Sequence, residues 1–350
     1  MNGGCQTNIF CLFAVLLFLN DMYELIKTFP GQLREALVIG EKAFNASVEK
    51  HNISNIVICG LGGSGIGGNI LSELLRDELK VPVIVNKSYF LPAFVDSNTL
   101  LILASYSGDT EETLSCTHQA IEKGLKPVCV TSGGRLAHIA HIHGFQIFSI
   151  PAGFPPRACL GFSGVQLFFI LHQYGLIDAG FKNVFLRVAE FLEAGQAEVM
   201  KEAEALAEKL VQKVIVLYTE DKYESTALRL KQQINENSKL HCWYNVIPEM
   251  NHNELVGWRE MNKALAVLIL RADDEYERNT ARILFKKEVI EKLSENVYEI
   301  DARGTDTFEK HFFLVHLGDW ISYYLAVKQG YDPMEIDVLV RLKGHMKLLN

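Results

Sequence analysis

The sequence predicts an α/β protein made of two doubly wound parallel-sheet units. Three observations lead there. Short apolar runs rich in β-formers alternate with longer helical stretches between residues 55 and 329, the pattern of strand–helix–strand crossovers. Turns rich in glycine or hydroxyl residues directly follow three of the early runs. The alternation then repeats beyond a polar, glycine-containing stretch at Asp178–Lys182, and 350 residues exceed what one small domain uses.

In the first half, strands are expected at Asn55–Cys59, Val81–Val85, Thr99–Ala104, Pro127–Thr131 and Phe145–Ile150. Helices are expected between them at Ile66–Leu75, Thr110–Lys123 and Leu136–His143, with Ser163–Tyr174 closing the unit. A long helix, Val184–Gln212, leads into the second half. Its strands are expected at Lys213–Tyr218, Leu240–Tyr244, Ala264–Arg271 and Val297–Ile300, separated by helices Tyr223–Asn237, Asp274–Lys292 and Thr307–Gln329. The domains are therefore drawn at 22–182 and 183–350. The apolar run Ile9–Leu19 is too short to span a bilayer. No Lys or Arg precedes Lys27, whereas a secretory signal wants a basic start. Residues 1–21 are expected to be a leader or an upstream-start extension outside the fold, with the working protein beginning at Met22.

With 49% hydrophobic and 22% charged residues, the composition is that of an ordinary globular protein with a sizeable core. A net charge of -8 argues against nucleic-acid binding, which draws its affinity from Lys and Arg. An anionic small molecule remains admissible, because a few local donors can bind a phosphate. The seven cysteines are scattered and form no Cys-x-x-Cys pair, so neither a disulfide framework nor a zinc knuckle is indicated, which suits a reducing, cytoplasmic setting without a membrane.

Ligands of doubly wound sheets gather beyond the carboxyl ends of the strands. Three turns there could hold a phosphate. Gly60-Leu-Gly-Gly-Ser-Gly opens a helix, and its Gly63 and Gly65 let the backbone approach an anion. Its spacing also fits a dinucleotide fingerprint or a bare strand–helix turn, but the next strand ends Val85-Asn86-Lys87 rather than in the acid that a nicotinamide ribose requires. Ser105-Tyr-Ser-Gly-Asp-Thr-Glu-Glu-Thr clusters hydroxyls at another helix start, where Ser105, Ser107 and Thr110 can bind an anion with neutral donors or Ser107 or Asp109 can cap the helix. Thr131-Ser-Gly-Gly-Arg135 brings one guanidinium to the same sheet edge.

These turns, in order, resemble the bifunctional phosphoglucose/phosphomannose isomerase family, built from two sugar-isomerase (SIS) domains. The likeness extends through Pro155-Pro-Arg-Ala, Asn235-Glu-Asn, Pro248-Glu-Met-Asn-His-Asn and Leu317-Gly-Asp-Trp, from about Met22 to Lys343. The serine loop alone marks a SIS domain; the ordered set is specific to the family. The resemblance implies an aldose–ketose isomerase acting on hexose 6-phosphates (glucose, mannose and fructose 6-phosphate) with no cofactor and no metal. It also implies a homodimer in which His252 is contributed to the partner's active site.

By the same resemblance, Glu236 is the base that moves a proton between C1 and C2, and His252 opens the sugar ring. Arg135 stabilises the enediolate, Lys343 faces the sugar, and Ser64, Ser105, Ser107 and Thr110 hold the phosphate with the Gly63 and Gly65 backbone. Read without the family, Glu236 is one helix-end carboxylate, His252 one loop histidine and Lys343 one terminal lysine among others. Ile336 stands near a position where some members carry a small hydroxyl residue, so glucose 6-phosphate is implied more firmly than mannose 6-phosphate. Arg157 fits the family pattern without an evident role. The rival readings are a non-catalytic sugar-phosphate regulator, which would want a partner-binding module, and another SIS isomerase of the amidotransferase type, which would want a glutaminase domain.

Overall fold

A computed structural model describes residues 21–48 and 52–348. Most of the expected 1–21 extension, with its apolar run, lies outside the described residues. Asp21 is the exception: its carboxylate accepts the Tyr23 amide at 3.0 Å and so caps the first helix.

Among the described residues, nine strands form two separate, wholly parallel sheets, as expected. The first holds β1 (Asn55–Cys59), β2 (Val83–Asn86), β3 (Thr99–Ala104), β4 (Val128–Thr131) and β5 (Gln146–Ser149) in the order β2-β1-β3-β4-β5. The second holds β6 (Val214–Glu220), β7 (Cys242–Ile247), β8 (Leu265–Arg271) and β9 (Val297–Asp301) in the order β7-β6-β8-β9. Central strands of parallel sheets are covered on both faces and so read as continuous apolar runs; β3, Thr-Leu-Leu-Ile-Leu-Ala, is buried at every position. β2 starts two residues later than Val81 because Pro82 offers the sheet only its carbonyl, which accepts the Ile56 amide.

The chain leaves β1 for β2 on one side and then crosses to β3 on the other, so the strand order reverses between β1 and β3. The carboxyl ends of those two strands run into Gly60 and Ser105, which places both candidate phosphate turns at the switch point.

The elements group into two compact units that are not consecutive halves of the chain. One comprises Lys27–Gln196 with Arg303–Phe313; the other comprises the described residues up to Ile26, Ala197–Ala302 and the residues from Leu314 on. The helix Phe181–Leu210 therefore runs through the division expected at 182. Aromatic packing explains the return of 303–313 to the first-sheet unit. Phe308 and Phe312 lie 6.1 and 5.6 Å from Phe185, and the Arg187 guanidinium donates to Glu309 at 3.1 Å. In the second-sheet unit the first helix, Met22–Lys27, sets Tyr23 edge-on to Trp320 at 5.1 Å. No helix among the described residues is long and apolar enough to cross a membrane.

Candidate active site

The first-sheet unit assembles the expected hydroxyls in one place. The Ser105 and Thr110 hydroxyl oxygens are 2.9 Å apart. The Tyr106 amide donates to Ser64 Oγ at 3.0 Å and the Asp109 amide to Ser107 Oγ at 3.2 Å, so backbone of the Ser105–Thr110 turn orients both serines. Ser105 is almost fully buried. The helices that follow, Gly62–Leu74 and Glu111–Glu122, have no side-chain hydrogen bond at their N-caps, Leu61 and Thr110. Thr110 spends its hydroxyl on Ser105 rather than on capping. Helix-start amides not taken by caps present positive potential to an anion.

Two expectations need correcting here. The helix after β1 begins at Gly62 and not at Ile66, so Gly63 and Gly65 belong to its opening turn. The Gly65 amide donates to Leu61 O at 3.2 Å, which removes it as an anion donor. Glycine is required at 65 for space: a Cβ would lie 2.3 Å from Gly60 O. Gly108 is required more strongly, since its φ is +70° and a Cβ would lie 1.9 Å from Gly133 O, where the serine turn lies against the Thr131–Gly134 turn.

Arg135 stands at the start of the helix Gly134–His143, at the same sheet edge. Its guanidinium Nε donates to Asp109 Oδ1 at 3.0 Å and its amide to the same oxygen at 3.3 Å. Asp109 thus occupies this third helix start and ties the arginine to the serine turn in a solvent-exposed pair. Beneath the cradle, Tyr106 donates its hydroxyl to Pro151 O at 3.0 Å and accepts the Phe154 amide at 2.7 Å; burial pushes its phenol pKa up. Arg157, in the turn Pro156–Ala158, is buried.

The other expected residues belong to the second-sheet unit. Glu236 is half-buried, two residues from the end of the helix Glu224–Ser238. His252 is exposed at the end of the short turn Glu249–His252. The neighbouring Asn253 does not hold it, since its side chain serves the Glu254 amide and Glu249 instead. Lys343 is exposed on the helix Asp337–Met346, which Ile336 precedes.

What fixes the Glu236 helix is not evident from the sequence. Arg229, on that helix, donates to Asp319 from Nη2 at 2.6 Å and from Nε at 3.1 Å, and Gln233 donates to the same carboxylate at 2.8 Å. Asn237 donates to Ser322 Oγ at 2.9 Å. Asp319 lies in the Leu317-Gly-Asp-Trp stretch, so the motif was visible while its partners were not.

Residues 199–346 match the family described as the bacterial phospho-glucose isomerase C-terminal SIS domain. The chain is 38% identical over 335 residues to a bifunctional phosphoglucose/phosphomannose isomerase of Caldicellulosiruptor bescii, covering 93% of this chain and 98% of that one. It is 34% identical over 333 residues to a protein of the same name from Thermoplasma acidophilum, covering 92% and 96%. Among solved structures, the C-terminal domain of glucosamine-fructose-6-phosphate aminotransferase from Francisella tularensis shares the fold with a TM-score of 0.71 at 16% identity, covering 89% of this chain and 96% of that one.

Proposed function

This chain belongs to the bifunctional phosphoglucose/phosphomannose isomerase family, and from that premise we propose that it interconverts glucose 6-phosphate, mannose 6-phosphate and fructose 6-phosphate. The observation that carries the reading is the cradle of Ser64, Ser105, Ser107 and Thr110 at the switch point, set between two helix starts that no side chain caps. Such a cradle suits the C6 phosphate. Holding that remote group lets binding energy orient C1 and C2.

In the proposed reaction His252, supplied by the partner subunit of a homodimer, passes the anomeric hydroxyl proton to the ring oxygen and opens the ring. Glu236 takes a proton from C1 of open-chain fructose 6-phosphate, leaving a cis-enediolate, and returns it to C2. The O1 proton passes to O2, so the aldose forms without net gain or loss of protons. Delivery to one face of C2 gives glucose 6-phosphate and to the other mannose 6-phosphate. Arg135 and Lys343 balance the negative charge of the enediolate. Neither a metal nor a nucleotide is needed for any of these steps. Because Ile336 stands near a position where some members carry a small hydroxyl residue, the glucose branch is proposed more firmly than the mannose branch.

The test is to offer fructose 6-phosphate to the purified protein in EDTA and to detect glucose 6-phosphate and mannose 6-phosphate separately. Formation of both, with glucose 6-phosphate in excess, is expected. Formation of neither would overturn the reading.

A further inference from the structure

We propose that Lys239 is a positioning residue for the isomerisation, acting through a cage of backbone carbonyls that joins the helix end bearing Glu236 to the segment leading to Lys343. The proposal rests on the assignment of Glu236 as the proton-transferring base.

Lys239 directly follows the helix Glu224–Ser238 and adopts a left-handed conformation, with φ at 57°. That turn sends its side chain back over the helix end. Nζ donates to Glu236 O at 2.7 Å and to Asn237 O at 3.2 Å, two of the terminal carbonyls that a helix leaves without intrahelical partners. The same nitrogen reaches Asp332 O at 2.8 Å and Glu335 O at 2.9 Å, with the Glu335 carboxylate 4.0 Å away. An ammonium has three hydrogens, so with four carbonyls in reach one hydrogen is shared. The next carbonyl, Ser238 O, is taken by Gln329 Nε2 at 3.1 Å.

One cation therefore grips the peptide carbonyl of Glu236 itself and the backbone that enters Ile336 and the Lys343 helix. Helix capping alone does not call for this arrangement. Glycine is the residue best suited to a left-handed position after a helix, and it closes the end with backbone amides. Lysine accepts conformational strain there, and what it adds is a link between two segments more than ninety residues apart in sequence. A base that must serve two adjacent carbons is sensitive to displacement by a fraction of its reach. We infer that the cage fixes that placement.

Lys239→Gly separates the two roles, since it relieves the backbone and empties the cage. If Lys239 positions the base, kcat falls by roughly 10²-fold, the scale of an ångström misplacement. KM for fructose 6-phosphate stays within about three-fold, because phosphate binding lies elsewhere. Ammonium chloride, but not sodium chloride at equal ionic strength, restores part of kcat by refilling the cage. Lys239→Met, which keeps the stem and lacks the charge, shows the same loss and guards against a loosened turn in the glycine variant. Wild-type kcat in both variants, alongside an inactive Glu236→Gln, would overturn the positioning role and leave the base assignment standing. So would a loss that tracks thermal stability and does not respond to ammonium. Normal turnover by Glu236→Gln would instead remove the premise and the proposal with it.

Discussion

Asp319→Ala removes one carboxylate and strips three hydrogen bonds from the helix that carries Glu236: two from Arg229, at 2.6 and 3.1 Å, and one from Gln233 at 2.8 Å. The side chains of the ion pair are 3% and 5% exposed, so water does not replace the lost acceptor. Burial outweighs the pull of Arg229 and Gln233 and leaves the Asp319 pKa raised, while the short bidentate contact to Arg229 favours the charged form. Breaking a buried pair on one side costs about 3–5 kcal/mol because the other charge stays inside. At roughly 2–4 °C per kcal/mol for a unit of this size, the transition drops by about 6–20 °C. The three tryptophans, Trp243, Trp258 and Trp320, all lie in the second-sheet unit, so tryptophan fluorescence during urea or heat denaturation reports on that unit alone. Arg229→Leu combined with Asp319→Leu removes both charges and is expected to recover most of the loss. A single variant that loses less than about 1 kcal/mol, or a double variant as unstable as the single, would refute the energetic role given to the pair.

Removing the cradle hydroxyls with Ser105→Ala and Thr110→Ala should raise KM for fructose 6-phosphate by about two- to ten-fold each, the worth of one hydrogen bond. Inhibition by inorganic phosphate should weaken in step, and an unchanged phosphate inhibition constant would count against the cradle. Lys286 is buried with no hydrogen-bond acceptor among the described residues, its ammonium 4.2 Å from the centre of the Tyr218 ring. Burial lowers its pKa from 10.5 to about 7. The unfolded chain then binds more protons between those values, so this group makes stability rise as pH goes from about 7 to 10 and fall on the way back. Lys286→Met should abolish that slope in tryptophan-monitored denaturation. A variant retaining the wild-type slope would show that the amine does not titrate there.

What the sequence disclosed is what depends on neighbours in sequence. β3 was read to the residue, because Thr99–Ala104 is a continuous apolar run closed by the hydroxyl turn. The cradle was legible for the same reason: Ser105, Ser107 and Thr110 lie within one turn. β7 runs to Ile247, beyond the expected Tyr244: the polar Asn245 stays in the ladder opposite Tyr218 and donates to Glu254 at 2.8 Å. The helices Met22–Lys27, Phe29–Ala43 and Asp337–Met346 have no counterpart in the sequence expectation, and the last of them leaves its apolar Val338, Leu339 and Leu342 exposed. The helix start at Gly62 was hidden by its glycines, which suggest a loop until the crowding against Gly60 O is seen. The partners of Lys239 and Asp319 are not legible in the sequence, because they lie about ninety residues away.

The most direct test of the central claim compares Glu236→Gln with the unaltered enzyme in two assays on fructose 6-phosphate. Turnover reports proton transfer, and equilibrium titration reports binding. Turnover is expected to fall by about 10²–10⁴-fold, the usual contribution of a general base, while the dissociation constant changes by no more than a few-fold. Turnover within a few-fold of the parent, or binding lost together with turnover, would contradict that claim.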